Sequence, residues 1–357
     1  MEERGANNSY MVCIRCVTYN HKSYIEDAMN GFVAQNTDFP YECIIVDDAS
    51  TDGNQATIKK YFDTNFSNIE TEETNDYILY FGNHKTNQYC NFVIINLKYN
   101  HYSIKKNKNP YFKRWQDLSK YVAFCEGDDY WTDSSKLQTQ VSFLEEHDDF
   151  GLCYTKCRQY IQKDKTFLNE DFGQPTNGFE DMLINGNRIP TLTTCMRLSI
   201  LDKYFDEIKP SERGWLMGDY PIWLYFAHET KIKFIDISSG VYRILENSAS
   251  HNIDINKTLV FHKSFYEIKA YFAQRYSVEY DYNTDLKLYP FYIYLELMFQ
   301  KYNRDTAQKM RSSYKKAEIR RMNYTFYCMF SHWKFSWQIM KLSINLFNKV
   351  FKCRNQK

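Results

Sequence analysis

The hydrophobic positions of this chain change period repeatedly over its first 150 residues, and the changes predict an α/β fold. Residues 11–17 form a nearly unbroken apolar run of strand length. After the polar turn 19–22, Ile25, Met29, Phe32 and Val33 recur at helical spacing behind Ser23 and Glu26, which have the spacing of a capping box. Residues 43–46 predict a second strand ending in Asp47-Asp48. Thr51-Asp52-Gly53 then turns into a helix carrying Ile58, Tyr61 and Phe62. Residues 77–81 and 121–125 predict a third and a fourth strand. The basic stretch 101–115 lies between them and breaks the rhythm. It reads as a surface excursion, either solvated or covering a bound ligand.

The pattern continues with a helix from Ser134 that turns Leu137, Val141 and Leu144 inward, then strands near 151–154 and 192–196. Pro221 has the character of a first helical residue, opening a helix through Ile222, Leu224, Tyr225 and Phe226. Strands at 232–237 and 240–242 follow. From about residue 256 the chain reads as helical and rich in Tyr and Phe, with no internal repeat. The expected organisation is an α/β domain over residues 1–255 and a helical, basic, aromatic-rich extension over 256–357.

Composition narrows this picture in three respects. With 43% hydrophobic and 25% charged residues the chain is a folded protein, and its 357 residues suffice for a large core. The net charge of +1 conceals an asymmetry: residues 301–357 carry 14 Lys and Arg against two acids, Asp305 and Glu318, and the preceding 300 residues carry 31 basic and 42 acidic groups. A basic tail on an acidic body points to an anionic contact. Residues 309–352, which mix Lys and Arg with Trp, Phe, Ile and Leu, fit either peripheral contact with a membrane surface or a helical pair packed on the domain. The body's acidity and the lack of a recognition motif argue against nucleic acid. The ten Cys form neither a disulfide framework nor a zinc site, because Cys13 and Cys16 lie three apart on a strand and face opposite sides. Together with the absence of a signal peptide and of any apolar run of 18 residues, this predicts a cytoplasmic protein without a spanning helix.

The candidate chemistry sits where predicted strands end, the place where open α/β sheets bind ligands. Thr18-Tyr19-Asn20 follows the first strand, Asp47-Asp48 the second and Glu126-Gly127-Asp128-Asp129 the fourth. Three carboxylates within four residues repel one another unless a cation or hydrogen bonds compensate, and hard divalent ions bridge such oxygens to substrate phosphates.

Residues 125–131 (Cys-Glu-Gly-Asp-Asp-Tyr-Trp), the opening Val17-Thr18-Tyr19-Asn20-His21, and residues 46–53 (Val-Asp-Asp-Ala-Ser-Thr-Asp-Gly) together resemble a bacterial family-2 glycosyltransferase of the GT-A fold, over roughly residues 9–251. The resemblance implies a Rossmann-like mixed sheet flanked by helices. It also implies inverting transfer from a nucleoside-diphosphate sugar, UDP-linked by family habit, to a glycan or lipid-linked acceptor in surface polysaccharide synthesis, with Mn2+ or Mg2+. By position, Val17, Thr18, Tyr19 and Asn20 would line the base and ribose and Asp48 would hydrogen-bond the base. Glu126 would stand near ribose and sugar, and Asp128 would ligate the metal with Asp129 beside it. Asp219, in Gly218-Asp219-Tyr220-Pro221, matches the family's catalytic base, although Asp before Pro-containing helix starts is also a common N-cap. Arg243 would contact the diphosphate or pair with an acid. The family often places a His soon after such a Val-Tyr-Arg strand. Here the next is His251, which would supply that ligand or leave the metal to Asp128 and phosphates. Two other readings carry distinct signatures. A nucleotidyltransferase would show a Gly-rich basic loop after the first strand, and a non-catalytic nucleotide-sugar-binding protein would not need every acid intact.

Overall fold

The computed structural model describes residues 10–245, 255–283 and 286. The chain divides into two compact units, Met1–His251 and Asn252–Lys357. The first unit runs β1 (Tyr10–Thr18), α1 (Ile25–Val33), β2 (Tyr41–Asp47), α2 (Asn54–Asn65), β3 (Phe66–Glu73), β4 (Tyr77–His84), β5 (Cys90–Leu97), α3 (Asn109–Gln116) and β6 (Ser119–Phe124). It continues with β7 (Tyr130–Trp131), α4 (Lys136–Glu146), β8 (Phe150–Ile161), β9 (Thr166–Phe167), α5 (Phe179–Asn185), β10 (Cys195–Arg197), α6 (Leu198–Ile208), α7 (Tyr220–Glu229) and β11 (Lys231–Ile244). In the second unit the described residues form α8 (Ile255–Arg275). Among the described residues no helix is long and apolar enough to cross a membrane.

All eleven strands join one mixed sheet in the order β3-β4-β5-β2-β1-β6-β10-β8-β11-β7, with β9 on the flank of β8. Its centre is the parallel set β5-β2-β1-β6. Every residue of β2 and β5 is buried, as strands covered on both faces require. Parallel alignment brings the carboxyl ends of these four strands to one rim, which places Thr18, Asp47, Leu97 and Phe124 side by side. The core beneath packs Ile25, Met29 and Phe32 of α1 and Leu137, Val141 and Leu144 of α4 against β-strand residues such as Ile14, Ile45 and Ala123.

Several local expectations are corrected. Ser23 and Glu26 do not form a capping box: α1 starts after Tyr24 without a side-chain cap, and the His21 carbonyl accepts from the amides of Tyr24 and Ile25 instead. β3 is an extra strand, polar and largely exposed at the sheet edge, and β5 is a buried strand that pattern reading passed over. The strands expected at 232–237 and 240–242 are one strand, β11, whose register against β8 shifts near Ser238. Of the strand expected at 192–196, Leu192 and Thr193 belong instead to a short 3-10 turn (Thr191–Thr193), and the strand is confined to β10. The 101–115 stretch is a surface excursion, exposed over residues 102–107, but it is pinned by buried His101, Phe112 and Trp115 and its second half is α3.

The turn after β2 is organised by Asp47. Its buried carboxylate accepts from the Ser50 amide (2.9 Å), Ser50 Oγ (2.6 Å), Asn54 Nδ2 (2.8 Å) and Gln55 Nε2 (2.7 Å). Asp47→Ala removes one acceptor and strands several donors, so it is expected to lower unfolding stability by at least about 3 kcal/mol in a urea melt. A loss under about 1 kcal/mol would show that the turn is held by other contacts.

Candidate active site

The rim is assembled from three turns that hold one another. After β1, Asn20 adopts φ 56°, its amide donates to Ser50 Oγ (2.9 Å), and its Oδ1 accepts from the Thr51 amide (2.8 Å). Val17 is half-buried, Thr18 is buried with Oγ1 accepting from Asn54 Nδ2 (3.0 Å), and Tyr19 projects outward with 43% of its surface exposed. Of these four, Tyr19 is the side chain most free to meet a ligand, and Thr18 and Asn20 tie the first two turns together.

After β2, Asp48 is buried, and its carboxylate is engaged by the chain itself. Oδ1 accepts from the His101 amide (2.6 Å), and Oδ2 accepts from the Tyr102 amide (3.1 Å) and from Lys108 Nζ (2.9 Å). These contacts draw residues 100–108 over the rim. Two carboxylate oxygens offer about four lone-pair sites, so three donors leave one acceptor position open beside the Lys108 ammonium. Neither Lys108 nor the fold of this loop followed from the motifs.

After β6 comes the acidic turn. The Cys125 amide donates to Arg15 O (3.2 Å) and the Gly127 amide to Val17 O (3.0 Å), which pins the turn to β1. Glycine is needed at 127 because a Cβ there would lie 2.6 Å from both Cβ and Oγ1 of Thr18. The two aspartates then diverge. Asp129 turns inward, nearly fully buried, with Oδ1 accepting from the Arg243 amide (2.8 Å). Asp128 keeps 19% of its side chain exposed and faces the His21 ring, with Oδ1 at 3.8 Å from Nδ1.

Arg243 is a clamp on this turn. Its Nη1 donates to the Asp128 carbonyl (2.8 Å), its Nη2 pairs with Asp27 of α1, and its guanidinium lies over the rings of Tyr24 (5.0 Å) and Tyr130 (4.7 Å). Of the two roles open to it in sequence, pairing with an acid is the one observed.

Asp219 precedes α7. Its Oδ1 accepts from the Tyr220 amide (2.8 Å), so it does begin the helix, but its Oδ2 accepts from Thr191 Oγ1 (2.8 Å). Thr191 belongs to the short 3-10 turn, which is itself anchored where Trp131 Nε1 donates to Leu192 O (2.7 Å) and Gln140 Nε2 to Thr193 O (2.7 Å). The fold thus brings Asp219 to the acidic turn across some 90 residues of sequence. Burial, and after it the charges of Asp128 and Asp219, push the Glu126 carboxyl up to about 8. Burial and the charges of Asp128 and Glu126 likewise raise that of Asp129, opposed by Arg243. His251 and residues 309–352 lie outside the described residues.

A divalent cation fits these residues. Asp128 presents a carboxylate to the outside of a like-charged cluster, and the buried Nδ1 of His21 beside it has no hydrogen-bond partner among the described residues. No group of three or more metal-binding side chains is present there, so the protein would supply part of a coordination shell and leave the rest to phosphates and water.

The mixed sheet, with the acidic turn on its parallel-strand rim, is a fold of the GT-A type. Residues 13–205, more than half of the chain, match the model of glycosyl transferase family 2, and the chain belongs to that family. An uncharacterized protein of Mycobacterium tuberculosis is 32% identical over 142 residues, which are 40% of this chain and 34% of that protein; a Mycobacterium bovis protein matches equally. The chain therefore spans about a third of the length of these curated relatives. Among solved structures, S. aureus TarS in complex with UDP aligns with a TM-score of 0.44 at 19% identity, covering 74% of this chain and 64% of that one. A mannosyltransferase from Pyrobaculum calidifontis in complex with GDP-Man and Mn2+ aligns with a TM-score of 0.45 at 11% identity, covering 95% and 90%.

The raised Glu126 carboxyl has a thermodynamic signature. Its folded value of about 8 exceeds the ordinary 4.5 of the unfolded chain, so the native state binds more protons between those values and loses stability as pH rises through them. Glu126→Gln abolishes that loss. In the absence of divalent metal its melting temperature is expected to exceed that of the wild type by a margin that grows from pH 5 to pH 8. A constant margin would contradict the assigned burial and repulsion.

Proposed function

We propose that this family-2 enzyme is an inverting glycosyltransferase that moves a sugar from a UDP-linked donor to a hydroxyl of a glycan or lipid-linked acceptor in surface polysaccharide synthesis. The observation that carries this reading is Asp219, held by Thr191 and the start of α7 next to the acidic turn. Asp128 would hold Mn2+ or Mg2+, whose chemistry is to neutralise charge on the departing diphosphate. Asp219 then takes the proton of the acceptor hydroxyl as its oxygen bonds to the anomeric carbon. The bond from that carbon to the diphosphate oxygen breaks on the opposite face, and configuration inverts. Arg243 and Asp129 keep the turn in place through the displacement.

The choice of uracil is supported by the pair at the rim. Asp48 offers an acceptor next to the ammonium donor of Lys108, 2.9 Å away. That order complements the N3–H and O4 of uracil, and cytosine or adenine would set acceptor against acceptor. Thymine and guanine share the complementary edge and are the competitors the experiment must separate. The acceptor is assigned to an anionic membrane face on the cytoplasmic side because the 301–357 segment carries 14 basic residues against two acids.

The test combines binding and turnover. With a panel of UDP-, GDP-, dTDP- and CDP-sugars, UDP-sugars are expected to raise the melting temperature, and to do so only with Mn2+ or Mg2+. Asp128→Ala is expected to abolish that shift. Asp219→Asn keeps the shift and loses turnover, measured as UDP release, by about 10²–10⁴-fold. Unchanged turnover in Asp219→Asn sinks the base assignment, and binding with neither hydrolysis nor transfer for any sugar favours a non-catalytic binding protein. Lys108→Met should weaken binding of UDP, and of any other nucleotide with the same donor–acceptor edge, more than that of CDP; equal weakening of all nucleotides would contradict base reading.

A further inference from the structure

His21 has a fixed backbone and an unused side-chain nitrogen. Its carbonyl accepts from the amides of Tyr24 (2.8 Å) and Ile25 (2.9 Å), and the neighbouring Lys22 amide donates to Asp52 Oδ2 (3.0 Å). The residue thus sits at a defined point between the turn after β1 and the first turn of α1. Its side chain is 18% exposed, and its buried Nδ1 has no hydrogen-bond partner among the described residues. Buried polar atoms are nearly always satisfied, so an orphan at a functional rim calls for a partner that enters with the ligand. The nearest anionic atom, Asp128 Oδ1, lies 3.8 Å away, too far for a hydrogen bond. It is a suitable separation for two donors of one ion. Nitrogen and oxygen ligands stand about 2.0–2.2 Å from a small divalent cation, so a pair 3.8 Å apart can both reach one ion between them.

We propose that His21 Nδ1 is the second protein ligand of the catalytic cation, completing with Asp128 a one-nitrogen, one-carboxylate half-shell whose remaining positions belong to diphosphate oxygens and water. This inference rests on the metal-assisted reading above and adds to it. It moves the nitrogen ligand from position 251 to the turn after β1, on the same rim as Asp48 and Lys108. It also sets metal preference. An imidazole nitrogen gains affinity along the divalent series from Mn2+ onward, whereas Mg2+ favours oxygen ligands and retains its waters. The site is therefore expected to favour Mn2+ over Mg2+ by tenfold or more, and His21→Asp, which restores an all-oxygen set, is expected to narrow or reverse that preference.

The experiment is pulsed electron paramagnetic resonance on the full-length chain with Mn2+ and UDP, repeated with GDP and dTDP. Wild-type protein is expected to show nitrogen modulation on bound Mn2+. His251→Ala should retain it, and His21→Gln should bind Mn2+–UDP several-fold more weakly and show none. The assignment is overturned by nitrogen modulation that persists in His21→Gln, by its disappearance in His251→Ala, or by bound Mn2+ without nitrogen modulation in the wild type. If no nucleotide recruits Mn2+ at all, the metal-assisted reading itself fails, an outcome distinct from bound metal lacking nitrogen. Circular dichroism and melting of His21→Gln without metal separate folding from ligation. Because the side chain carries no hydrogen bond at Nδ1 among the described residues, they are expected to match the wild type.

Discussion

Carboxylates gathered at one strand end repel one another, and much of the rim's architecture holds them there in spite of it. Glu126, Asp128 and Asp129 lie within four residues, and Asp219 adds a fourth carboxyl from a distant helix start. The opposing forces are local and identifiable. Two backbone bonds lash the turn to β1, a glycine lets it sit against Thr18, and Arg243 reaches both aspartates from β11. Asp219 is restrained by Thr191, whose turn is anchored through Trp131 and Gln140 into the core. A turn so braced gathers carboxyl groups at one point of the rim, where a cation would add attractions that offset their mutual repulsion.

The two Asp-Asp doublets divide labour in opposite orders. In Asp47-Asp48 the first residue turns inward to organise its own turn, and the second meets the loop that closes on the rim. In Asp128-Asp129 the first faces outward and the second anchors the backbone. Each doublet pairs a residue that fixes geometry with one that meets what lies on the rim. A single aspartate at either place would have to do both.

Three of the four parallel central strands (β1, β2 and β6), the helices α1, α2, α4 and α7, and the convergence of three turns on one rim were legible because apolar runs and helical periodicities report burial directly; the fourth parallel strand, β5, was not. β3 escaped because an exposed edge strand such as Ser67–Glu73 is polar in both faces' positions, and the capping box at Ser23 and Glu26 failed because backbone amides found the His21 carbonyl first. Within the site, residues carried by local motifs were visible. Lys108, Thr191 and His21 acquire their roles from partners 60, 28 and more than 100 positions away, separations that no local pattern encodes. Arg243 was visible as a candidate, but its choice between diphosphate and acid depends on how β11 meets β7, a matter of tertiary register.

Whether the acidic turn holds a cation together with a diphosphate is tested by calorimetric titration of UDP into the protein with Mn2+ and with chelator, and of Mn2+ with and without UDP. Reciprocal linkage is expected, each ligand tightening the other by the same factor of tenfold or more. Equal UDP affinity with Mn2+ and with chelator would contradict it.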